Sequence, residues 1–244
     1  MPKIAVILPA AGKSARFGSG EKKPFVELEG KAVWMRSAEL FWNRPEVSRV
    51  YVVVSPEDCD FFRQRFGPAF VFANAEVVEG GAERFESVAN ALAKIPEDVE
   101  LVAVHDAVRP LCPAAKIDEV FAAALEHGAA MLAVPVADTL KRVDESGTIL
   151  ETVPRAGLWA AQTPQVFRRD WLVEAYAERA SLKVPITDDA QLIEAMGHPV
   201  KVVESTAGNF KITTRGDFDL AVEIVRSSSR QVVKPSSRPF DDDV

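Results

Sequence analysis

The sequence predicts an α/β fold with a mostly parallel sheet and helices on both of its faces. Short apolar runs rich in valine and isoleucine alternate with segments of helical periodicity over the first part of the chain. The runs Lys3–Leu8 and Arg49–Val54 are apolar at almost every position, which is typical of strands buried on both faces. Since strand–helix–strand connections are right-handed, this alternation places successive strands in one Rossmann-like sheet.

Turn and helix-stop residues separate the predicted elements of this region. Pro45 follows the first helical segment, Gly67 follows the second, and Gly128 follows the fourth. The predicted strands are Lys3–Leu8, Arg49–Val54, Ala75–Val78, Leu101–Val104 and Ala129–Val136. The predicted helices are Leu28–Arg44, Asp58–Phe66, Ser87–Ala93 and Ala114–His127.

Residues 138–167 interrupt this alternation. Leu140–Val143 and Thr148–Val153 alternate polar and apolar residues around Asp144–Gly147, which predicts a β-hairpin arm that protrudes from the domain. The elements predicted beyond it are helices Asp170–Ala180, Asp188–Met196 and Asp217–Val225 and a strand Val200–Glu204. We expect a single domain over residues 1–226. Residues 227–244, rich in serine, proline and charge, are expected to form a disordered tail.

Composition narrows the class of protein. The chain has 244 residues, a formal net charge of −7 and 48% hydrophobic residues. A net negative charge argues against a general nucleic-acid binder, which needs a broad basic face. No apolar segment is long enough to span a bilayer, and Cys59 and Cys112 lack the spacing of a metal or redox pair. We therefore expect a cytoplasmic protein that binds neither membrane nor nucleic acid.

Three polar loops, at residues 9–23, 79–87 and 105–110, follow predicted strands and should meet at one edge of the sheet. The first concentrates the cations Lys13, Arg16, Lys22 and Lys23 beside the small residues 10–12. Small residues allow a ligand to approach backbone N–H groups, which can hold phosphate oxygens. The spacing matches neither the P-loop nor the dinucleotide-binding pattern. A phosphate cradle and a solvated basic turn both remain open from the residues of this loop alone.

The other loops offer a functional and a structural interpretation each. Gly81 and Ser87 could bind a base or ribose, or Ser87 could simply hydrogen-bond within its own helix. Asp106 and Arg109 could bind a substrate hydroxyl and a phosphate, or form a structural ion pair. We interpret the neighbouring His105 as structural.

Four further polar residues lie outside these loops. Thr139 and Arg155 belong to the predicted arm. Thr187 stands at a helix start, where capping is the simplest explanation. Lys211 is a lone cation in an apolar stretch and either reaches water or points into a site.

Taken together, these segments resemble the 2-C-methyl-D-erythritol 4-phosphate cytidylyltransferase family. The matching pieces occur in the family's order and reach about Val225. They read LPAAGKSARFG, KKPF, VEGGAERFESV, VHDAVRP, PVADTLKR, VPRAGLWAAQTPQVF, ITDDA and NFKITT. The resemblance implies a fold of the nucleotide-diphospho-sugar transferase type. It also implies transfer of a cytidylyl group from CTP to 2-C-methyl-D-erythritol 4-phosphate, with release of pyrophosphate.

The resemblance assigns roles residue by residue. Arg16 and Lys23 would stabilise charge on the α-phosphate, and Lys211 would orient the attacking phosphate. The nucleotide site would contain Pro9, Ala10, Ala11, Gly12, Gly81, Ala82 and Ser87. The acceptor site would contain Asp106, Arg109, Thr187 and Lys211.

The resemblance also implies a homodimer. Thr139 and Arg155 would reach the site of a second copy of the chain from the exchanged arm, with Arg155 positioning the acceptor. Magnesium would be carried by the CTP phosphates without dedicated protein ligands. Two alternatives stay open, namely a ribitol-5-phosphate cytidylyltransferase and a non-catalytic nucleotide-binding protein. The PAAG loop and PRAGLW favour methylerythritol over ribitol.

Overall fold

The computed structural model describes residues 2–12, 22–182 and 186–232. The strands in chain order are β1 Ile4–Pro9, β2 Glu27–Leu28, β3 Lys31–Ala32, β4 Val47–Val54, β5 Ala75–Glu79, β6 Leu101–Val104, β7 Ala129–Pro135, β8 Leu140–Val143, β9 Ile149–Val153, β10 Trp159–Arg168 and β11 Lys201–Glu204. The α-helices are α1 Val33–Glu39, α2 Cys59–Phe72, α3 Arg84–Leu92, α4 Ala114–His127, α5 Arg169–Glu178, α6 Asp189–Ala195 and α7 Arg215–Val232.

A seven-stranded sheet forms the centre of the fold, in the order β11-β7-β10-β6-β1-β4-β5. β1 pairs in parallel with β4 and β6, β4 with β5, and β11 with β7. Only β10, among these seven, runs antiparallel to its neighbours β6 and β7. The predicted α/β class with a mostly parallel sheet is confirmed.

Helices cover both faces of the sheet, and the side chains of β1 contribute to the apolar cluster on each face. Ile4, Val6 and Leu8 belong to the apolar cluster on one face, which α1, α2 and α4 cover. Ala5 and Ile7 belong to the cluster on the other face, which α3, α5 and α6 cover. Because successive side chains of a strand point to opposite faces, a strand buried on both sides must be apolar throughout. The sequence pattern of β1 follows from this position.

Helix α7 covers a third, smaller apolar cluster beside the sheet. Phe218 and Ala221 of this helix contact Leu28, Val33 and Ile212. We predicted that this helix ends at Val225 and that a tail begins at residue 227, but the helix continues to Val232. Residues 233–244 of the expected tail lie outside the described residues.

Three further predicted helices have wrong bounds, of which α3 begins at Arg84 rather than at Ser87. α2 continues through Gly67 and Pro68 to Phe72, although Gly67 was predicted to stop it. Its last turns place Phe70 in a stack with Trp34, with ring centroids 5.6 Å apart, and this aromatic burial outweighs the local cost of glycine and proline. The segment predicted as one helix over Leu28–Arg44 holds two short strands before α1 begins at Val33.

The hairpin arm forms, but it is shorter than predicted. β8 and β9 pair antiparallel around the turn at residues 144–148. The arm was expected to extend to Phe167, whereas residues 159–168 form β10 in the middle of the sheet. Apolar burial of Val166 and Phe167 draws this segment into the core.

In the ranges that the structure describes, no helix has the length and apolar composition needed to cross a membrane.

Candidate active site

A cleft of about 740 Å³ opens at one edge of the central sheet. Its walls follow the carboxyl ends of β1, β4, β5 and β6, which are mutually parallel and therefore end at the same edge. The described parts of the three polar loops singled out in the sequence meet here. The lining residues are Pro9, Ala10, Ala11, Gly12, Lys23, Pro24, Ser55, Pro56, Glu57, Gly81, Ala82, Glu83, Arg84, Ser87, Asp106, Val108 and Lys211.

The small-residue turns after β1 and β5 lie against each other. A Cβ added to Gly80 would lie 3.2 Å from the Cβ of Ala11 and 2.8 Å from Ser87 Oγ. The backbone N–H of Ala10 donates to Val53 O at 2.7 Å, and that of Gly80 donates to Val54 O at 2.8 Å. Side chains larger than those present would separate the two turns. Their small residues therefore allow the two turns to pack together at the wall of the cleft.

The second turn is fixed by the start of α3. Glu83 and Glu86 form a capping box, and a Cβ on Gly81 would overlap the Glu86 side chain. The hydroxyl of Ser87 accepts from Gly81 N–H and donates to Glu83 O, both at 3.2 Å. The Ser87 hydroxyl thus makes hydrogen bonds within its own turn and helix, as the structural interpretation expects. Its proposed contact with the nucleotide stays a prediction.

Lys22 and Lys23 diverge although they are adjacent. Lys22 Nζ donates to Ser55 Oγ and to Glu57 Oε1, each at 3.1 Å, and also forms an ion pair with Asp58. Lys23 borders the cleft instead. Lys13 and Arg16 fall in residues 13–21, outside the described residues. Of the cations in the first loop, Lys23 is the one that the structure places at the cleft wall.

Asp106, Arg109 and Lys211 form a charged cluster at the base of the cleft. Arg109 Nε donates to Asp106 Oδ2 at 3.0 Å, and Lys211 Nζ lies 3.2 Å from the same oxygen. Burial alone would raise the pKa of Asp106, but the cations of Lys211, Arg109 and Arg84 outweigh it and hold that pKa well below its usual range. Asp106 is therefore ionised throughout the neutral and mildly acidic range of pH.

Arg109 has a second structural role. It is nearly buried and its Nη1 donates to Asn209 O at 2.8 Å. Asn209 is fully buried and donates through Nδ2 to Gln162 Oε1 and Thr163 O, both at 2.9 Å. These bonds hold the Lys211 segment against the loop that carries Asp106. Arg109 itself is not part of the cleft wall.

His105 lies fully buried behind the cleft, as expected of a structural residue. Its Nε2–H donates to Arg109 O at 3.0 Å, because a carbonyl oxygen can only accept. The Nδ1 of the neutral ring then accepts from the Thr163 hydroxyl at 3.1 Å, and that hydroxyl accepts from the N–H of Asp106 at 3.0 Å. Burial lowers the pKa of His105 to about 4. The neutral ring joins the Asp106 loop to β10.

The titration of His105 makes stability depend on pH. An unfolded histidine titrates at a pKa of about 6.5, so between that pH and about 4 only the unfolded chain binds this proton. The free energy of unfolding should therefore decrease as the pH is lowered through this window, by up to about 1.4 kcal/mol per pH unit. Urea unfolding at several pH values measures the slope, and His105→Asn should reduce it. Equal slopes in the two proteins would contradict this role for His105.

Besides Arg109, three predicted site residues among those described do not line the cleft of this chain. Thr187 is exposed, and its N–H and Oγ1 both donate to Gln191 Oε1, at 2.9 and 3.1 Å. Thr139 and Arg155 are exposed on the arm, where Arg155 Nη1 donates to Ala137 O. Any role for these two in a reaction site therefore needs a second copy of the chain.

The sequence interpretation missed Arg84. This residue borders the cleft and its Nη2 donates to Asp189 Oδ2 at 2.7 Å. The two residues are far apart in sequence, so spacing gives no sign of the pair. The motif VEGGAERFESV contained Arg84, but only its small and hydroxyl residues were assigned a role.

Within residues 2–12, 22–182 and 186–232, no group of three or more His, Cys, Asp or Glu side chains could hold a metal ion. The carboxylates at the cleft have other partners in this structure. Asp106 faces Lys211 and Arg109, Glu57 faces Lys22, and Glu83 caps α3.

Comparison with known proteins identifies close relatives. The family model described as 2-C-methyl-D-erythritol 4-phosphate cytidylyltransferase matches residues 4–227. A protein of that name from Frankia casuarinae is 42% identical over 221 residues, which cover 90% of this chain and 80% of the relative. Another, from Rhodopirellula baltica, is 39% identical over 94% of this chain and 98% of its own length.

Solved structures agree with these matches. The crystal structure of 2-C-methyl-D-erythritol 4-phosphate cytidylyltransferase from Thermus thermophilus has a TM-score of 0.75 and 33% sequence identity, and covers 93% of this chain and 100% of that one. The 4-diphosphocytidyl-2C-methyl-D-erythritol synthase from Anaerococcus prevotii has a TM-score of 0.79 at 27% identity, with 92% and 96% covered.

Proposed function

The chain belongs to the 2-C-methyl-D-erythritol 4-phosphate cytidylyltransferase family, and from this premise we propose that its cleft transfers a cytidylyl group from CTP to 2-C-methyl-D-erythritol 4-phosphate. One observation carries the proposal. Small-residue turns and the cations Lys23, Arg84 and Lys211 meet at one edge of a sheet in a chain of net charge −7. Cations beside turns of small residues, which let a ligand approach closely, suit two phosphate-bearing substrates.

The reaction requires positioning more than covalent catalysis. A phosphate oxygen of the acceptor attacks the α-phosphorus of CTP, the bond between the α-phosphorus and the bridging oxygen breaks, and pyrophosphate leaves with the electron pair. Lys23 and Arg16 stabilise the charge that develops on the α-phosphate, and Lys211 orients the attacking phosphate. Asp106 holds the ammonium group of Lys211 in place through their 3.2 Å contact. The turns 9–12 and 81–87 bind the nucleotide.

Magnesium accompanies the nucleotide in this proposal. The carboxylates at the cleft have cationic or backbone partners, and the ion prefers substrate phosphates and water to a protein cage. The triphosphate oxygens would hold it, and it would neutralise part of their charge. The residues at the cleft fit this arrangement. Their carboxylates already have partners, so the phosphate oxygens would be the ligands of the magnesium ion.

Pyrophosphate release from CTP and magnesium tests the substrate. Purified protein should turn over with 2-C-methyl-D-erythritol 4-phosphate and much more slowly with ribitol 5-phosphate. Equal or faster turnover with ribitol 5-phosphate would favour the alternative polyol. Binding of CTP without turnover on either acceptor would favour a non-catalytic nucleotide-binding protein.

A homodimer through the arm completes the proposed site. The arm and the strand that follows expose apolar side chains whose exposed fractions are 39–61%, namely Val143, Ile149, Leu150, Leu158 and Trp159. Clustered exposed apolar side chains favour an interface, and Thr139 and Arg155 lie on the same arm. In the dimer these two residues contact the acceptor phosphate in the second copy.

Arg155→Ala should raise the KM for the acceptor by about tenfold or more, because a charge-assisted hydrogen bond is lost. The dissociation constant of CTP should change little. Arg142→Ala is the matched control, since Arg142 lies on the same arm and pairs with Glu151 at 2.6 Å. A monomer with full activity, or the same effect from both variants, would refute the shared site.

The free cysteines fit a cytoplasmic location. Cys59 and Cys112 are both buried and unbonded to each other, as is usual where thiols stay reduced.

A further inference from the structure

Arg84 has an unusual setting for a residue at the wall of the cleft. It is the first residue of α3, and its guanidinium forms an ion pair with Asp189, the first residue of α6. The Asp189 side chain is 1% exposed, and its other oxygen accepts from Tyr176 OH at 2.5 Å. Both carboxylate oxygens are therefore engaged. A guanidinium backed by such a fixed carboxylate loses much of its rotational freedom.

The ion pair with Asp189 uses only part of the hydrogen-bonding capacity of the Arg84 guanidinium. Nη2 makes the contact with Asp189, while the side chain keeps 36% of its surface exposed and borders the cleft. Arginine carries five N–H donors in a planar fork. The contact with Asp189 uses Nη2, which leaves further N–H donors on a side chain that lines the cleft together with Gly81 and Ala82.

Charge at this point of the cleft is unbalanced. Arg84 lies close enough to Asp106 for each to stabilise the charged form of the other: burial disfavours the charge of Arg84, but Asp189 and Asp106 outweigh it and raise its pKa. Among the described residues, the ion pairs of Arg84, Arg109 and Lys211 join these three cations to two carboxylates, those of Asp106 and Asp189. The other acidic residues at the cleft wall, Glu57 and Glu83, are held by Lys22 and by the cap of α3. The positive excess is therefore local: the five side chains around Asp106 carry one positive charge more than negative charges, and this favours an anion beside Arg84.

We propose that Arg84 binds a phosphate group of a bound substrate, and that Asp189 and Tyr176 are positioning residues that hold its guanidinium toward the cleft. The proposal rests on the proposed function and adds to it a residue from the nucleotide side of the site. A planar fork matches a phosphate oxygen pair, whereas a lysine offers only a point charge. The phosphate belongs either to CTP or to the polyol phosphate, because Arg84 lies between the turn 80–82 and Asp106.

A purely structural role is the alternative. In that case the Arg84–Asp189 pair would only join α3 to α6. Loss of the pair would then lower stability without changing substrate affinity, and added guanidinium would restore nothing. The variants must therefore be compared by measurements that a loss of stability alone would not change.

The experiment compares Arg84→Ala, Arg84→Lys and Asp189→Asn with the wild-type protein. The measurements are kcat, both KM values, the dissociation constant of CTP and the thermal midpoint, with Arg215→Ala as the surface-arginine control. We expect Arg84→Ala to lose about 100-fold in kcat/KM and to recover part of it with millimolar guanidinium ion, and Arg84→Lys to recover little. Asp189→Asn should lose about tenfold, on the same substrate as Arg84→Ala.

The pattern across substrates identifies the phosphate. Weaker CTP binding by Arg84→Ala assigns it to the nucleotide, and a higher KM for the polyol phosphate alone assigns it to the acceptor. Unchanged affinities, unchanged kcat and no guanidinium rescue in a folded Arg84→Ala protein would overturn the inference while leaving the proposed function intact. An inactive wild-type protein would refute the proposed function, and CTP and pyrophosphate binding to wild type and Arg84→Ala would still decide whether Arg84 holds a phosphate.

Discussion

Replacing Lys23 by alanine should reduce kcat by about 10²- to 10³-fold. Removing one group that stabilises charge in a transition state typically has an effect of this size. Lys23 borders the cleft, and Phe25, two residues on, anchors the segment by packing against Phe62 with ring centroids 5.7 Å apart. The loss should appear in kcat more than in the KM for CTP, because the charge at the α-phosphate grows as the bond to pyrophosphate breaks.

Lys22→Ala is the matched control for this variant. It removes the same charge one residue earlier, but Lys22 is held by Glu57 and Asp58. Its effect on kcat should be much smaller than that of Lys23→Ala, because the ammonium group of Lys22 is engaged by carboxylates rather than by the substrate. Loss of such a partly exposed pair costs at most about 1 kcal/mol of stability. Steady-state pyrophosphate release at saturating substrates measures both variants. Similar rates in the two would mean that Lys23 has no special part in the reaction.

Replacing Asp106 by alanine should lower the free energy of unfolding by about 3–5 kcal/mol. Removing one partner of a buried ion pair leaves an uncompensated charge, and Arg109 is only 11% exposed in its side chain. The pKa of Asp106 is lowered in the folded state, so its stabilising effect is present above the pKa of an unfolded aspartate and is lost as pH falls below it. Asp106→Ala should therefore differ most from wild type at neutral pH.

Asp219→Ala provides the comparison. Asp219 pairs with Arg215, and both side chains are 62% exposed, so the cost should be only about 0.3–0.5 kcal/mol. Urea unfolding at pH 7 measures both variants against wild type. Equal costs for Asp106 and Asp219 would show that the buried cluster does not stabilise the fold.

Local sequence patterns predicted most strands correctly. The predictions were wrong where contacts between residues distant in sequence decide the structure. Leu101–Val104 and Ala114–His127 have the predicted bounds, since a β-branched run and a terminal Gly128 with positive φ are local signals. α2 passes Gly67 and Pro68 because Phe70 stacks on Trp34, a contact that no local pattern contains. β10 was missed because Gln162, Pro164 and Gln165 interrupt its apolar pattern.

The same distinction applies to the site. Loops after parallel strands must meet at one edge, so the wall from Pro9–Gly12 to Asp106 was predictable. The roles of single side chains were less predictable. Arg84 becomes notable only through Asp189 and Tyr176, which belong to other helices. The functional roles assigned to Lys23, Arg155, Thr187 and Lys211 stay predictions.

The place of β10 in the sheet sets an order of assembly during synthesis. β5, β4, β1 and β6 are neighbours and can pair as soon as residue 104 has been made. β7 follows next along the chain, yet both of its neighbours, β10 and β11, come later. Until β10 emerges, the apolar segment Ala129–Pro135 has no partner and is exposed to wrong pairing. Since the Thr163 hydroxyl of β10 also holds the N–H of Asp106, and Lys211 lies still later in the chain beside Asp106, the site depends on segments that leave the ribosome after the arm.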